Sequence, residues 1–465
     1  VFYGSAKNVS IDVGAADIFQ YGYNAPNANT IIAAAEPLDY PDRSGVSGQT
    51  GNNGAGDCIG HDMAFVRDYI KPSVAAGQKL MLAGLAYGGQ TITTNGSLSA
   101  NASGSWYTTF ITRALAALAA GGAGSTFGYM SFQQGEGDFQ PYGNAAQAAV
   151  VNAYRACLLY LVDKARTDLS APILPFLMGQ MSAYSIDAGG VRYATNGVNI
   201  DHIHQELKNY IERVGFYGNG GDGTGDVHYS AAEQRNLAGR MPTAYTDALA
   251  NTRPSSLWPS IDLPGGDFAV SNGGKDISGG AASAWKSVHA TGGRIGEDVY
   301  FEFEVAAKNN NVNMGYCGIT NCFLDRSNYL GATTGNLASA GNNSTKKQAA
   351  IWPATQPHSV AGWTVVNAIA GSVFGNAAAG DRFGFLIRPS LGKAWVRKVG
   401  SAWPFSGDPD TGANPWISGI SATERIFPAV SIYTGSGNTW RLHTDASDLV
   451  GTDALAISGV SAWGN

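Results

Sequence analysis

Helical periodicity runs through the first 250 residues of this chain and then largely stops, and that break constrains the architecture before any motif is read. In the first part, three short apolar runs, "KLMLAGLAY" (79–87), "STFGYMSF" (125–132) and "APILPFLMGQM" (171–181), each follow a stretch with helical spacing. Those stretches are "MAFVRDYI", "WYTTFITRALAALAA" and "AAQAAVVNAYRACLLYLVDKA". In the last of them Ala149, Val150, Ala153, Cys157, Leu158, Leu161 and Val162 fall near one face, the pattern of a helix laid on a sheet. Apolar strands joined by helical crossovers predict an α/β domain over residues 1–250, with a parallel sheet flanked by helices.

Residues 251–266, "NTRPSSLWPSIDLPGG", carry three prolines and two terminal glycines and read as a linker. Beyond them "DVYFEFEV" (298–305) alternates, with Val299, Phe301, Phe303 and Val305 on one face and Tyr300, Glu302 and Glu304 on the other, which predicts a half-buried antiparallel strand. "DRFGFLIRP", "GKAWVRKVG" and "ERIFPAVSIYT" follow between Gly-, Asn-, Ser- and Pro-rich intervals, so residues 267–465 are expected to form an antiparallel β-sandwich.

Composition excludes several functions. With 14% charged residues and a net charge of -6, the chain lacks the basic stripe that neutralises phosphates, so nucleic acid is not an expected partner. No run reaches the length of a membrane-spanning helix, and Val1 to Asp17 has neither a basic n-region nor an apolar h-region, so no membrane insertion and no intact signal peptide are expected. A start without Met suggests a processed chain or one that begins partway into a longer sequence. Cys317 and Cys322 are close enough in sequence to close a small disulfide loop or to stand as thiols, and Cys58 and Cys157 fit buried thiols equally well. The Gly-, Ser- and Asn-rich, aromatic, weakly charged texture is that of extracellular and virion-surface proteins.

Two polar islands interrupt the apolar runs of the first part. Gln134-Gly135-Glu136 follows an apolar run, and Asp226-Val227-His228 precedes the helical "SAAEQRNLAGRM". In a parallel sheet such loops gather at the carboxyl ends of the strands, as does the Gly88-Gly89 turn. A histidine placed there can act as general base for a hydroxyl nucleophile, with Asp226 holding the imidazole tautomer. Gln134 and backbone N–H groups near Gly89 can donate to a tetrahedral oxyanion. The competing structural reading makes Gln-Gly-Glu an ordinary turn and Ser230 with Glu233 a capping box at a helix start. His61 sits in a Gly- and Asp-rich loop, either lining a pocket or on the surface. His202 and His204, at i, i+2, suit a strand or turn rather than a metal-binding helix, and no third ligand accompanies them, so neither metal nor cofactor is expected.

Taken in order, "IFQYG…AAAEPLDY", "GHDMAFVRDY", "LMLAGLAYGGQTI", "FQQGEGDF" and "GDVHYSAAEQRNLAGRM" resemble the blocks of the SGNH hydrolases, within them the sialate O-acetylesterase-like and acetylxylan-esterase-like carbohydrate acetylesterases. That resemblance covers about half the chain and implies a flavodoxin-like SGNH sheet. It implies His228 as base, Asp226 as its orienting partner, Gln134 and Gly89 as oxyanion contributors, and Glu136 as support of the active site. The departure is at the nucleophile, because no GQSN or GDSL string is present. Ser5, after "VFY" and a Gly, is the positional substitute and Ser10 the second; a serine upstream of Val1 or a domain that has lost its serine are the alternatives.

"MGYCGITNCFLDRSNYLG", "GDRFGFLIRPSLGKAWVRKVGSAW" and "PAVSIYTGSGNTWRLH" resemble SPRY or concanavalin-like sandwiches. Trp352, Trp363, Trp395, Trp403, Trp416 and Trp440 are there to stack on sugars or to pack the sheets. Together the two resemblances imply a serine esterase that deacetylates a polysaccharide such as capsule or O-antigen, with a sandwich that attaches it to the polymer. A phage-tail or secreted setting and a trimer fit the analogy. The rival reading is a non-catalytic receptor-binding or structural tail protein on a degenerate esterase fold.

Overall fold

The structure, a computed structural model, describes residues 14–23, 26–35, 38, 60–85, 90–93, 100, 104–139, 147–188, 194–222, 229–259, 267–280, 284–309, 315–324, 346–353, 359–369 and 373–464. The chain divides into two compact units, one of residues 1–154, 164–208 and 212–252, the other of residues 155–163, 209–211 and 253–465.

Up to residue 252 the described elements run β1 (Ile18–Tyr21), β2 (Ile31–Ala33), α1 (His61–Phe65), β3 (Leu80–Leu82), α2 (Ser105–Gly121), β4 (Met130–Phe132), α3 (Glu136–Phe139), α4 (Gln147–Asp168), β5 (Phe176–Gly179), α5 (Ala194–Tyr210), β6 (Val214–Tyr217) and α6 (Ala231–Ala250). The expected parallel pairing is present: β1 lies parallel to β3, and β4, β5 and β6 are parallel in that order, with Met130 opposite Phe176 and Phe176 opposite Val214. These form two three-stranded sheets among the described residues, the first closed by β2 antiparallel to β1. Parallel strands need long crossovers, and α4 and α5 supply them between β4, β5 and β6. On the predicted face of α4, Val150, Ala153, Cys157, Leu158, Leu161 and Val162 are buried, but so are Val151, Tyr154 and Leu159 off that face, so the helix is covered on more than its one expected side.

Strand β6 and helix α6 meet at Gly215, where an added Cβ would overlap the carbonyl oxygen of Ala244. Backbone cannot yield as a flexible side chain would. Gly215→Ala is therefore expected to lower stability by about 2–3 kcal/mol, the cost of overpacking, measured as a lower urea midpoint of the helical circular-dichroism signal.

The second unit contains β7 (Phe268–Ser271), β8 (Asp276–Gly279), β9 (Trp285–His289), β10 (Arg294–Ile295), β11 (Val299–Ala307), β12 (Tyr316–Thr320), β13 (Gln348–Ile351), β14 (Ser359–Ala361), β15 (Thr364–Val365), β16 (Arg382–Arg388), β17 (Lys393–Lys398), β18 (Ile417–Ser418), β19 (Arg425–Tyr433), β20 (Thr439–His443) and β21 (Ser461–Ala462). A nine-stranded sheet, ordered β15-β18-β17-β16-β11-β20-β8-β7 with β21 beside β11, and a six-stranded sheet, β10-β19-β12-β13-β14 with β9 beside β19, share one core. Phe301, Phe303 and Phe385 from the first meet Ile319, Val430 and Ile432 from the second in that core, the arrangement of a sandwich.

Three expectations are corrected here. Strand β11 is buried on both faces, because Tyr300 on its second face packs with Leu386, Trp395, Leu449, Ala454 and Ile457. Glu302 on that face is fully buried and satisfied by Arg382 Nη1 (3.1 Å), Tyr300 Oη (3.1 Å) and the N–H groups of Val450 (3.2 Å) and Gly451 (2.6 Å). Cys317 and Cys322 are buried free thiols, both pushed up in pKa by burial. The strand between them advances about 3.3 Å per residue, which carries them beyond disulfide reach. Within the segment read as a linker, Trp258 is buried in the sandwich core and its Nε1 donates to Lys275 O at 2.9 Å, so that stretch is packed structure; residues 260–266 lie outside the described residues.

Candidate active site

The carboxyl end of β4 delivers Gln133, Gln134 and Glu136, and the last of these opens the short helix α3. Of the residues expected at the site, Gln134 and Glu136 are described, whereas Ser5, Ser10, Gly89, Asp226 and His228 lie outside the described residues. The carboxyl end of β1, where Gly22 and Tyr23 follow Tyr21, carries no serine among the described residues.

Gln134 is buried, and its amide nitrogen donates to Gln90 O at 2.8 Å and to Asp138 Oδ2 at 2.7 Å. An amide has two N–H donors, so both are committed inside the protein in this arrangement. Here Gln134 braces the chain at Gln90, and the oxyanion role expected for its amide is not what this geometry provides. Asp138 does the larger part of that work. Its carboxylate is fully buried and accepts from Ile92 N (3.1 Å), Thr93 N (3.0 Å), Thr93 Oγ1 and Gln134 Nε2. Burial raises its pKa, opposed by the hydrogen bonds from Thr93, Gln134 and Ile92. The Gln134-to-Asp138 block therefore fixes residues 90–93. Glu136, partly buried, has its carboxyl pushed up chiefly by burial.

Side chains of α4 and α5 hold the Gln134 backbone. Tyr154 Oη lies 3.0 Å from Gln134 O and 2.7 Å from His204 Nε2, and His204 is fully buried with its pKa lowered to about 3 by burial. A phenol has one proton, so the assignment that satisfies both contacts has His204 Nε2–H donating to Tyr154 and Tyr154 donating to Gln134 O. His204 Nδ1 then carries a bare lone pair, and it has no partner among the described residues. The i, i+2 reading of His202 and His204 as strand or turn is corrected: both lie in α5.

At the ends of β5 and β6, Gln133 Nε2 donates to Gln180 O (2.8 Å), Gln180 Nε2 to Asp201 Oδ2 (2.9 Å), Asn219 N to Gln180 Oε1 (2.7 Å) and Tyr229 Oη to Gln180 O (3.0 Å). The Tyr229 hydroxyl is pushed well up by burial and then by the charges of Glu136 and Asp201. Ser230 caps α6 as the structural reading foresaw, its Oγ accepting from Glu233 N and its N–H donating to Glu233 Oε2. His61 is neither surface loop nor open pocket wall: it begins α1, buried, with Nδ1 2.9 Å from Gln234 Oε1 and Nε2 3.1 Å from Tyr217 Oη. Among the described residues no cluster of His, Cys, Asp and Glu suits a metal ion, and no helix is long and apolar enough to cross a membrane.

Residues 24–247 match the profile of the family described as "Carbohydrate esterase, sialic acid-specific acetylesterase", a span that contains both polar islands. Over that span, just under half of the chain, the protein is similar to that carbohydrate esterase family. Among solved structures, NanS is similar over 54% of this chain and 93% of its own, at 16% identity and a TM-score of 0.42. A protein from Arabidopsis thaliana is similar over 52% and 84%, at 18% identity and 0.38. The SPRY domain of human HERC1 is similar over 38% and 91%, at 14% identity and 0.25. No curated protein gives a significant match. Ser5 and Ser10 precede the matched span.

Proposed function

We propose that the protein is a carbohydrate O-acetylesterase acting on an O-acetylated polysaccharide through an acyl-enzyme, with an acetylated sialic acid as the first sugar to test. The observation that carries this is the span of the family match, which takes in Gly89, Gln134, Glu136, Asp226 and His228. Within it, residues 90–93, just after Gly88-Gly89, are held by Gln134 and Asp138. His228 is the base, Asp226 its orienting partner and Ser5 the nucleophile, with Ser10 second; donors at Gly89 receive the oxyanion, and Gln134 and Glu136 support that turn. The two three-stranded sheets are read as parts of one SGNH-type sheet, and the setting as extracellular or virion surface, in trimeric form.

The test is hydrolysis of p-nitrophenyl acetate by the wild type, His228→Ala and Ser5→Ala, with intact mass after fluorophosphonate labelling. The expected result is a loss of about 10³-fold in kcat for both variants and a single label on Ser5. A label on another serine reassigns the nucleophile. A second reading, a glycan-binding protein on a degenerate esterase fold, is favoured by one observation: both candidate serines lie before the matched span, and Gly22-Tyr23 follows β1. Absence of both turnover and label in the wild type would overturn the esterase reading of this chain and leave either that binding protein or a chain separated from its own nucleophile.

A further inference from the structure

The tryptophans that the sequence offered for sugar stacking are not free to do it. Trp352, Trp363, Trp395, Trp416 and Trp440 are buried, and Trp403, partly buried, has one face covered by the Arg397 guanidinium 4.3 Å from its ring. The one exposed aromatic among the described residues of the second unit is Phe405, at 43%. Its backbone is left-handed (φ 60°, ψ 26°), and Ser406 follows at φ 56°.

A bulky residue in that region is strained, and exposure denies Phe405 the burial that would offset the strain. The strain is also concentrated. Three of the eight described non-glycine residues at positive φ, Phe405, Ser406 and Asn414, fall in this one loop. The sheet beneath holds the loop in place, with Arg388 Nη1 donating to Pro409 O (2.7 Å), Lys393 Nζ to Gly412 O (2.8 Å) and Trp395 Nε1 to Ala413 O (3.0 Å). Asp408 and Ala413 exchange two backbone hydrogen bonds across it, and the Asp408 carboxylate accepts from Asp410 N and Thr411 N. An aromatic side chain is thus presented to solvent from a loop already ordered, in which Asn414 Nδ2 also donates to Ser406 O at 3.4 Å.

We propose that Phe405 is a glycan-stacking platform, taking the apolar face of a pyranose ring against its own. One flat exposed ring matches the apolar face of a sugar in size and in chemistry, and pre-ordering removes the entropic cost of fixing the loop on binding. The choice of a sugar rests on the carbohydrate-esterase reading of the first unit.

The test uses the full chain in native affinity gels containing submaxillary mucin, intact or stripped of O-acetyl groups by mild base. The wild type should be retarded in both gels, since the ring face and not the acetyl group is read. Phe405→Ala and Phe405→Gly should bind about tenfold more weakly, while Phe405→Trp keeps binding. Phe405→Gly should melt no lower than the wild type, because glycine accepts the left-handed backbone without strain. Turnover of p-nitrophenyl acetate should be unchanged in all three variants. Equal retardation of Phe405→Ala and wild type, or no retardation of the wild type in either gel, overturns the proposal. Phe405-dependent retardation in a protein that hydrolyses nothing would leave the platform standing and remove the esterase.

Discussion

Asp138→Asn is expected to lower stability by about 3 kcal/mol and turnover of p-nitrophenyl acetate by about 10²-fold. The isosteric change is severe because every group facing this carboxylate is a donor: Ile92 N, Thr93 N, Thr93 Oγ1 and Gln134 Nε2. A carboxylate accepts on both oxygens, whereas an asparagine turns an NH₂ toward two of those donors and leaves buried N–H groups unpaired. The loss of activity has a separate origin. Residues 90–93 follow directly on Gly89, proposed to supply oxyanion donors, and a displacement of about 1 Å there would misplace them. Urea unfolding gives the first quantity, and kcat against KM the second, with KM for this small ester little changed. Stability and turnover within twofold of wild type would mean that Asp138 holds nothing the site needs.

Asp138 also shows where the sequence stops being informative. The Gln-Gly-Glu island is legible because it interrupts apolar runs, but the buried carboxylate two residues later draws its importance from Ile92 and Thr93, more than forty positions upstream. Its one local signal is the i, i+4 spacing from Gln134 across a helical turn. His204 was within reach. Ile200, Ile203, Leu207 and Ile211 form an i, i+3, i+7 stripe with His204 among them, and all five are buried, so helical period and not the i, i+2 spacing decides its place. Strand β11 illustrates the opposite limit. Its alternation correctly put Phe301 and Phe303 in the core, yet the cover over Tyr300 comes from Leu449, Ala454 and Ile457, which no local pattern connects to it. The positions of the strands and of the long helices were readable because an apolar run is a local property; what covers a second face, or satisfies a buried carboxylate, is settled by long-range partners.

His204 makes the stability of the first unit depend on acid. Its pKa is held at about 3 against an ordinary 6.5 because burial disfavours the imidazolium. Between those values the unfolded chain binds a proton that the native state does not, so stability falls as pH falls, by about 1.4 kcal/mol per unit. Over the full window that amounts to about 5 kcal/mol, lost progressively below pH 6.5 and levelling off near pH 3. The raised carboxyls of Glu136 and Asp138 act with the opposite sign, since there the native state binds the extra proton and gains on acidification. A bare pH profile therefore mixes the two, and a difference between variants separates them. His204→Gln keeps a side-chain N–H to offer Tyr154 but cannot titrate. At neutral pH it is expected to be about 1 kcal/mol less stable than wild type. By about pH 4.5 the wild type should have lost about 3 kcal/mol more than the variant, reversing the order. The helical far-ultraviolet signal, carried by α2, α4, α5 and α6, reports that transition in urea at each pH. A wild-type-to-variant difference that stays flat with pH would show that the buried imidazole is not the group sensing acid.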